Sequence, residues 1–159
     1  MRIELTTEIA APRGAVWAAI ADPAQWPQLI GGITRFDHTG GPPTGAGARY
    51  TMRMRVGSAD VGGLIEFVEW DEGCDLAWAS VLGIGQRGRW RLRDAGPSRT
   101  RVTLRFAYQS PGLLGWVADR VAAPVVRRNL EFGLDELRRR ALRISVAPAR
   151  RRRSRAARA

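Results

Sequence analysis

Residues 110–143 read SPGLLGWVADRVAAPVVRRNLEFGLDELRRRALR and hold the one long helical pattern of the chain. The residues before them, from 2 to 108, read mostly as short alternating or apolar segments, as strands do. A long helix after a run of strands, in a chain of 159 residues, predicts a single α+β domain. The antiparallel sheet is expected to curve around the helix, because no other element is long enough to cover its apolar face. A ligand would sit in the space between the two.

The helical pattern changes phase at Pro124. Leu114, Val117, Val121 and Val125 share one face, while Val126, Leu130, Gly133, Leu134, Leu137 and Ala141 share another about half a turn away. Proline also disfavours helical geometry at Ala123. The spacing therefore predicts a break: a short lid or gate segment, then a main helix of about 20 residues and roughly 30 Å. Leu130, Leu134 and Leu137 are expected on its buried face. Residues 1–144 form the expected domain. The run after Ile144, SVAPARRRRSRAARA, lacks apolar periodicity, so residues 145–159 are expected to be a disordered, arginine-rich tail.

Ahead of the helix, residues 2–9 alternate as a half-buried strand. Pro12 suits a helix start, and Val16 and Ile20 lie on one face of that helix. Asp22 ends it and caps a second, which Pro27 limits to a turn or two. Residues 33–37 read as a short strand and GGPPTGAG (40–47) as a loop. Residues 49–56, 61–70, 76–82, 87–93 and 101–108 then form a meander. The register of 61–70 is ambiguous: one choice turns Glu66 inward, the other Glu69.

Net charge is +11, and none of the 26 basic residues is lysine. Six arginines (150, 151, 152, 153, 155 and 158) lie in the tail, which leaves +5 for residues 1–144. Arg49, Arg53, Arg55, Arg89, Arg91, Arg93, Arg101 and Arg105 alternate with apolar residues and predict a basic outer sheet face. With the run 150–158, that face offers weak, sequence-independent contact to an anionic membrane or nucleic acid. No aromatic is clearly interleaved there, so base stacking is not indicated. There is no leader-like apolar core and no window of about 18 uncharged apolar residues. No stable membrane insertion and a cytoplasmic location are therefore expected. The single cysteine, Cys74, excludes an internal disulfide and fits a reducing compartment.

Catalytic signals are sparse. Residues 83–88 match G-x-G-x-x-G, but the RWRLR that follows alternates as a strand where a dinucleotide site needs a helix. A hairpin or bulge is the better reading. His38 is the only histidine and has no placed acid–base partner beyond its neighbour Asp37. Cys74 lies among acids, which would raise a thiol pKa. One His and one Cys cannot supply the usual zinc set. No catalytic residue, metal or cofactor is expected. Met52, Met54, Trp78, Trp90, Phe106 and Tyr108 are the inward candidates on the strands. They suit either core packing or the lining of an apolar cavity, with Val125 and Asn129 on the helix side.

The layout resembles the SRPBCC, or START-like, superfamily, and most closely its polyketide cyclase/dehydrase-like branch. The resemblance rests on Ala11-Pro12 through Val16-Trp17, Asp22-Pro23, Trp26-Pro27, Gly45-Ala46-Gly47, Glu69-Trp70-Asp71 and the long final helix, and it covers residues 2–143. It implies a helix-grip fold with a cavity for a lipid, polyketide or other hydrophobic small molecule. It carries no catalytic motif onto this chain. Binding or carriage of such a ligand is the leading expectation. A polyketide aromatase/cyclase or dehydratase is the alternative, with Tyr108, Asn129, His38 and an inward Glu66 or Glu69 as candidates. An adaptor that binds anionic surfaces through the tail is a third.

Overall fold

The structure, a computed structural model, describes residues 1–56, 58–109 and 115–156, with side chains outside the description at 115–121 and from 147 onward. Seven strands form one antiparallel sheet: β1 (Arg2–Ile9), β2 (Ile33–Gly40), β3 (Arg49–Val56), β4 (Ala59–Asp71), β5 (Asp75–Gly83), β6 (Gly85–Asp94) and β7 (Thr100–Gln109). Their order is β1-β7-β6-β5-β4-β3-β2, so β2 to β7 form a meander that β1 closes at one edge. Three helices accompany them: α1 (Arg13–Ile20), α2 (Trp26–Leu29) and α3 (Gly115–Ala156). The sheet curves around α3 in a helix-grip fold, as expected.

Period-two patterning decides the faces. Tyr50, Met52 and Met54 of β3, Trp90 and Leu92 of β6, and Val102, Leu104 and Phe106 of β7 are all buried on the α3 side. The helix meets them with Val126, Leu130, Leu134, Leu137 and Ala141, of which Leu130, Leu137 and Ala141 are fully buried. Asp22 caps the short helical turn that leads into α2 by accepting from the Ala24 N–H at 3.1 Å. The G-x-G-x-x-G run is a hairpin: Gly83 takes φ +91° at the β5–β6 turn, and Gly88 lies within β6.

The ambiguous register of 61–70 is resolved by two bulges. Ile65 and Phe67 point inward and are fully buried. An irregularity between Phe67 and Glu69 then pushes Val68 out of the ladder, which returns Trp70 to the inner side against Trp17. Both glutamates consequently face outward, Glu66 to Arg49 and Glu69 to Arg89.

One expectation for the helix is corrected. No break occurs at Pro124: α3 is continuous over 42 residues. Proline removes one backbone hydrogen bond, and Pro124 is exposed, where water serves the freed carbonyl. The described backbone of α3 extends past Ile144 to Ala156. The proposed lid face lies mostly outside the description: Leu114 wholly, Val117 and Val121 in their side chains.

The basic outer face is largely neutralised. Arg105 pairs with Glu4 at 2.7 Å, Arg101 with Glu8 at 3.0 Å and Arg49 with Glu66 at 2.7 Å, and Arg89 bonds Glu69. Arg91 and Arg93 both reach Asp75, at 3.0 and 2.8 Å. Asp75 is 6% exposed. Burial pushes its carboxyl pKa up, but the two arginine hydrogen bonds and charges outweigh that and hold it below the ordinary 3.8.

Two glycines allow the close approaches. A Cβ on Gly133 would stand 1.8 Å from the Leu29 carbonyl oxygen, so α3 touches the backbone of α2 there. A Cβ on Gly88 would stand 2.0 Å from the Trp78 ring. Gly133→Ala should therefore destabilise the protein by about 1–3 kcal/mol, since overpacking exceeds the ~1 kcal/mol that alanine gains in a helix. A midpoint shift to lower urea would show it; a stabilised variant would refute the contact. Asp75→Asn should cost about 1–3 kcal/mol at pH 7. Because the folded pKa is depressed, this stabilisation is present above 3.8 and fades as pH falls through the folded value. Urea titrations of both proteins at pH 7 and pH 2.5 should show the difference shrinking on acidification.

Candidate functional site

Residue size divides the space between sheet and helix. At the α2 end it is filled by aromatics. Trp26 stacks on Phe36 at 5.3 Å, Phe36 on Tyr50 at 4.6 Å, and Phe67 bridges Tyr50 and Trp70 at 5.5 and 5.4 Å. Trp78 meets Trp26 edge-on at 4.9 Å. Trp26 donates its indole N–H to the Ile20 carbonyl at 2.9 Å, and Tyr50 donates its hydroxyl to the Pro43 carbonyl at 2.5 Å. Burial, and then the Asp22 charge, raise the Tyr50 pKa, so this phenol stays neutral.

The opposite end is aliphatic. Met54 and Val56 of β3, Val61 of β4, Phe106 of β7, and Ala122 and Val126 of α3 enclose a cavity of about 20 Å³, completed by Gly62, Ile84, Gln86 and Tyr108. That is room for about one water. Gln86 and Tyr108 bring the only side-chain polar groups to this lining. They are cross-strand partners on β6 and β7, so their side chains stand next to each other on the inner face. Gln86 is 9% exposed, and its amide, like the Tyr108 hydroxyl, has no hydrogen-bond partner among the described residues.

Of the residues singled out from sequence, Met54, Phe106 and Tyr108 line this cavity. Met52, Trp78 and Trp90 do not; each is at most 1% exposed and packs in the core. Trp78 and Trp90 nonetheless keep buried indole N–H groups with no acceptor. Val125 faces outward at 41% exposure, because the buried stripe of the unbroken helix runs through Val126. Asn129 packs on the α2–β2 connection, where its backbone carbonyl and side-chain nitrogen would meet Cβ atoms on Gly31 and Gly32 at 2.7 and 2.5 Å. His38 is exposed, with Nε2 3.1 Å from the Pro42 carbonyl oxygen. With both glutamates outside, Tyr108 is the one acid–base candidate placed at the cavity. Gln86 is not among the residues the sequence singles out, although it lies in phase with inward Gly88, Trp90 and Leu92, because its glycine-rich flank reads as a turn. Cys74 is half-buried with Arg13 Nη1 3.8 Å from its sulfur. Among the described residues, no three His, Cys, Asp or Glu side chains gather as a metal would require, and no helix is long and apolar enough to cross a membrane. The side chains of 150–158 lie outside the description.

Similar folds occur among solved structures. The protein TTHA0849 of Thermus thermophilus superposes with a TM-score of 0.76 at 21% identity, covering 91% of this chain and 99% of its own. The Zhui aromatase/cyclase from a Streptomyces species gives 0.69 at 20% identity, over 88% and 94%. A START superfamily protein from Mycobacterium smegmatis gives 0.66 at 14% identity, over 85% and 94%. At these identities the likeness shows the fold alone. No curated protein sequence matches. The family model for polyketide cyclase/dehydrase and lipid transport matches residues 1–142, which spans the sheet, both short helices and the gripped part of α3. The chain belongs to this polyketide cyclase/dehydrase and lipid transport family.

Proposed function

We propose that the protein binds or carries a hydrophobic small molecule at the aliphatic end of the sheet–helix space, with Gln86 and Tyr108 orienting it. The observation that carries this reading is an apolar lining broken only by two adjacent polar side chains that have no partner among the described residues. Elsewhere the core satisfies Trp26 and Tyr50 internally and leaves only the indole N–H groups of Trp78 and Trp90 without acceptors among the described residues. A ligand with an apolar body and one or two acceptor oxygens matches that capacity. The cavity must widen to admit it. Met54 suits this, because its unbranched thioether repacks easily.

Binding is favoured over cyclase or dehydratase chemistry by the placement of the acid–base candidates. Glu66 and Glu69 are engaged by arginines on the outer face, and His38 lies on the β2 edge. Tyr108 alone would have to move protons, whereas orienting a ligand needs only its hydroxyl. The family and the Zhui aromatase/cyclase likeness keep the catalytic reading as the alternative.

Native mass spectrometry of the protein incubated with a bacterial lipid and polyketide extract should show a retained species soluble in organic solvent. Gln86→Leu and Tyr108→Phe should each weaken its binding by about tenfold while the melting temperature stays within a few degrees. Val126→Trp should fill the cavity and abolish retention. If no species is retained, or if Val126→Trp retains it as well as the parent does, the cavity is not the binding site. Conversion of a poly-β-ketone to a cyclised product, lost in Tyr108→Phe, would replace carriage with catalysis.

A further inference from the structure

A second candidate surface lies on the outer face of the sheet, across it from the interior cavity. Two adjoining depressions of about 320 and 520 Å³ lie there, and both are bounded by Arg2, Ala79, Arg87 and Ala107. Ladder register explains them. Arg2 on β1 pairs with Ala107 on β7, Ala107 with Arg87 on β6, and Arg87 with Ala79 on β5. One row across four strands therefore reads arginine, alanine, arginine, alanine. The alanines leave the floor low and the arginines form the walls. Neighbouring strands are about 4.8 Å apart, so the two arginine Cα atoms stand roughly 10 Å apart across Ala107. Both guanidinium groups can close on one group held above it.

Charge sets this row apart. In the next row Arg105 is held by Glu4 and Arg89 by Glu69. Beyond Ala79 in the first row, Glu66 is held by Arg49. Every carboxylate bordering the depressions is thus committed to another arginine. Arg2 and Arg87 have no carboxylate partner among the described residues, and both are exposed. The guanidinium groups of Arg2 and Arg87 stand over an apolar floor, beside the exposed Val68 and with the Met1 ammonium, bonded to the Tyr108 carbonyl, at the rim. The pairing elsewhere also removes the broad basic surface that a nucleic acid duplex would need.

We propose that Arg2 and Arg87 form a binding site for a small organic phosphate monoester, its dianionic head between the two guanidinium groups and its apolar body on Ala77, Ala79 and Ala107. A dianion matches the two guanidinium charges. The planar forks of arginine bind phosphate oxygens in pairs.

Phenyl phosphate is a suitable probe, added to the full 159-residue chain and followed through backbone amide resonances. Saturable shifts should centre on Ala79, Arg87 and Ala107. Arg2→Gln and Arg87→Gln should each weaken binding about tenfold or more. Arg53→Gln, another outer-face arginine without an ion pair among the described residues, should leave it unchanged. Ala107→Glu should abolish it by placing a carboxylate in the groove, with unfolding midpoints confirming that all variants fold. Shifts confined to other residues, equal affinity in Arg87→Gln, or binding only to vesicles containing phosphatidic acid and not to phenyl phosphate would each overturn the site.

Discussion

The contact between α3 and the floor of the sheet is the constraint on which the rest depends. Leu130, Leu134, Leu137 and Ala141 cover the inward side chains of the strands, and Gly133 lets the helix settle directly on the Leu29 carbonyl. A side chain at 133 would lift the helix from α2. The aromatic cluster around Trp26 would then lose its lid, because Trp26 begins α2 and is anchored to Ile20. Burial of each such side chain contributes about 2–3 kcal/mol, so a small displacement there acts on many residues at once. The position of α3 also decides how much room is left at the far end, where Ala122 and Val126 close the cavity.

That far end differs from the filled end by composition alone. Aromatic rings in successive contact occupy one half of the concave face. Methionine, valine and isoleucine occupy much of the other. Aromatic rings pack in few arrangements, whereas a wall that includes Met54 can yield. The same sheet is thus rigid where it supports the fold and adaptable where a ligand would enter. On its other face, cross-strand ion pairs neutralise most of the arginines in the register rows, and the one row built with alanines between the arginines is left charged.

Local pattern made most of the fold legible. Strand limits, the Asp22 cap and the buried leucines of α3 follow from spacing that each segment carries within itself. The failures share a cause. At β4 both registers suggested by the alternation are present, one on each side of Val68, and a bulge depends on the partner strand rather than on its own residues. At Pro124 the local preference for a break yields to a helix long enough to lose one hydrogen bond on its wet side. Gln86 carries no local signal, because its significance lies in standing beside Tyr108, a neighbour on the next strand and far from it along the chain.

The amino-acid sequence by itself determined the element order, the inward and outward faces of most strands, and the expectation of a sheet wrapped around one long helix. These follow from period, propensity and turn chemistry, which act over a few residues. Only the tertiary structure decided which inward side chains are core and which line a cavity, that both Glu66 and Glu69 face outward, and that Arg2 and Arg87 lack carboxylate partners among the described residues while their neighbours are paired. Those outcomes depend on register between strands and on where α3 comes to rest, quantities to which distant parts of the chain contribute together.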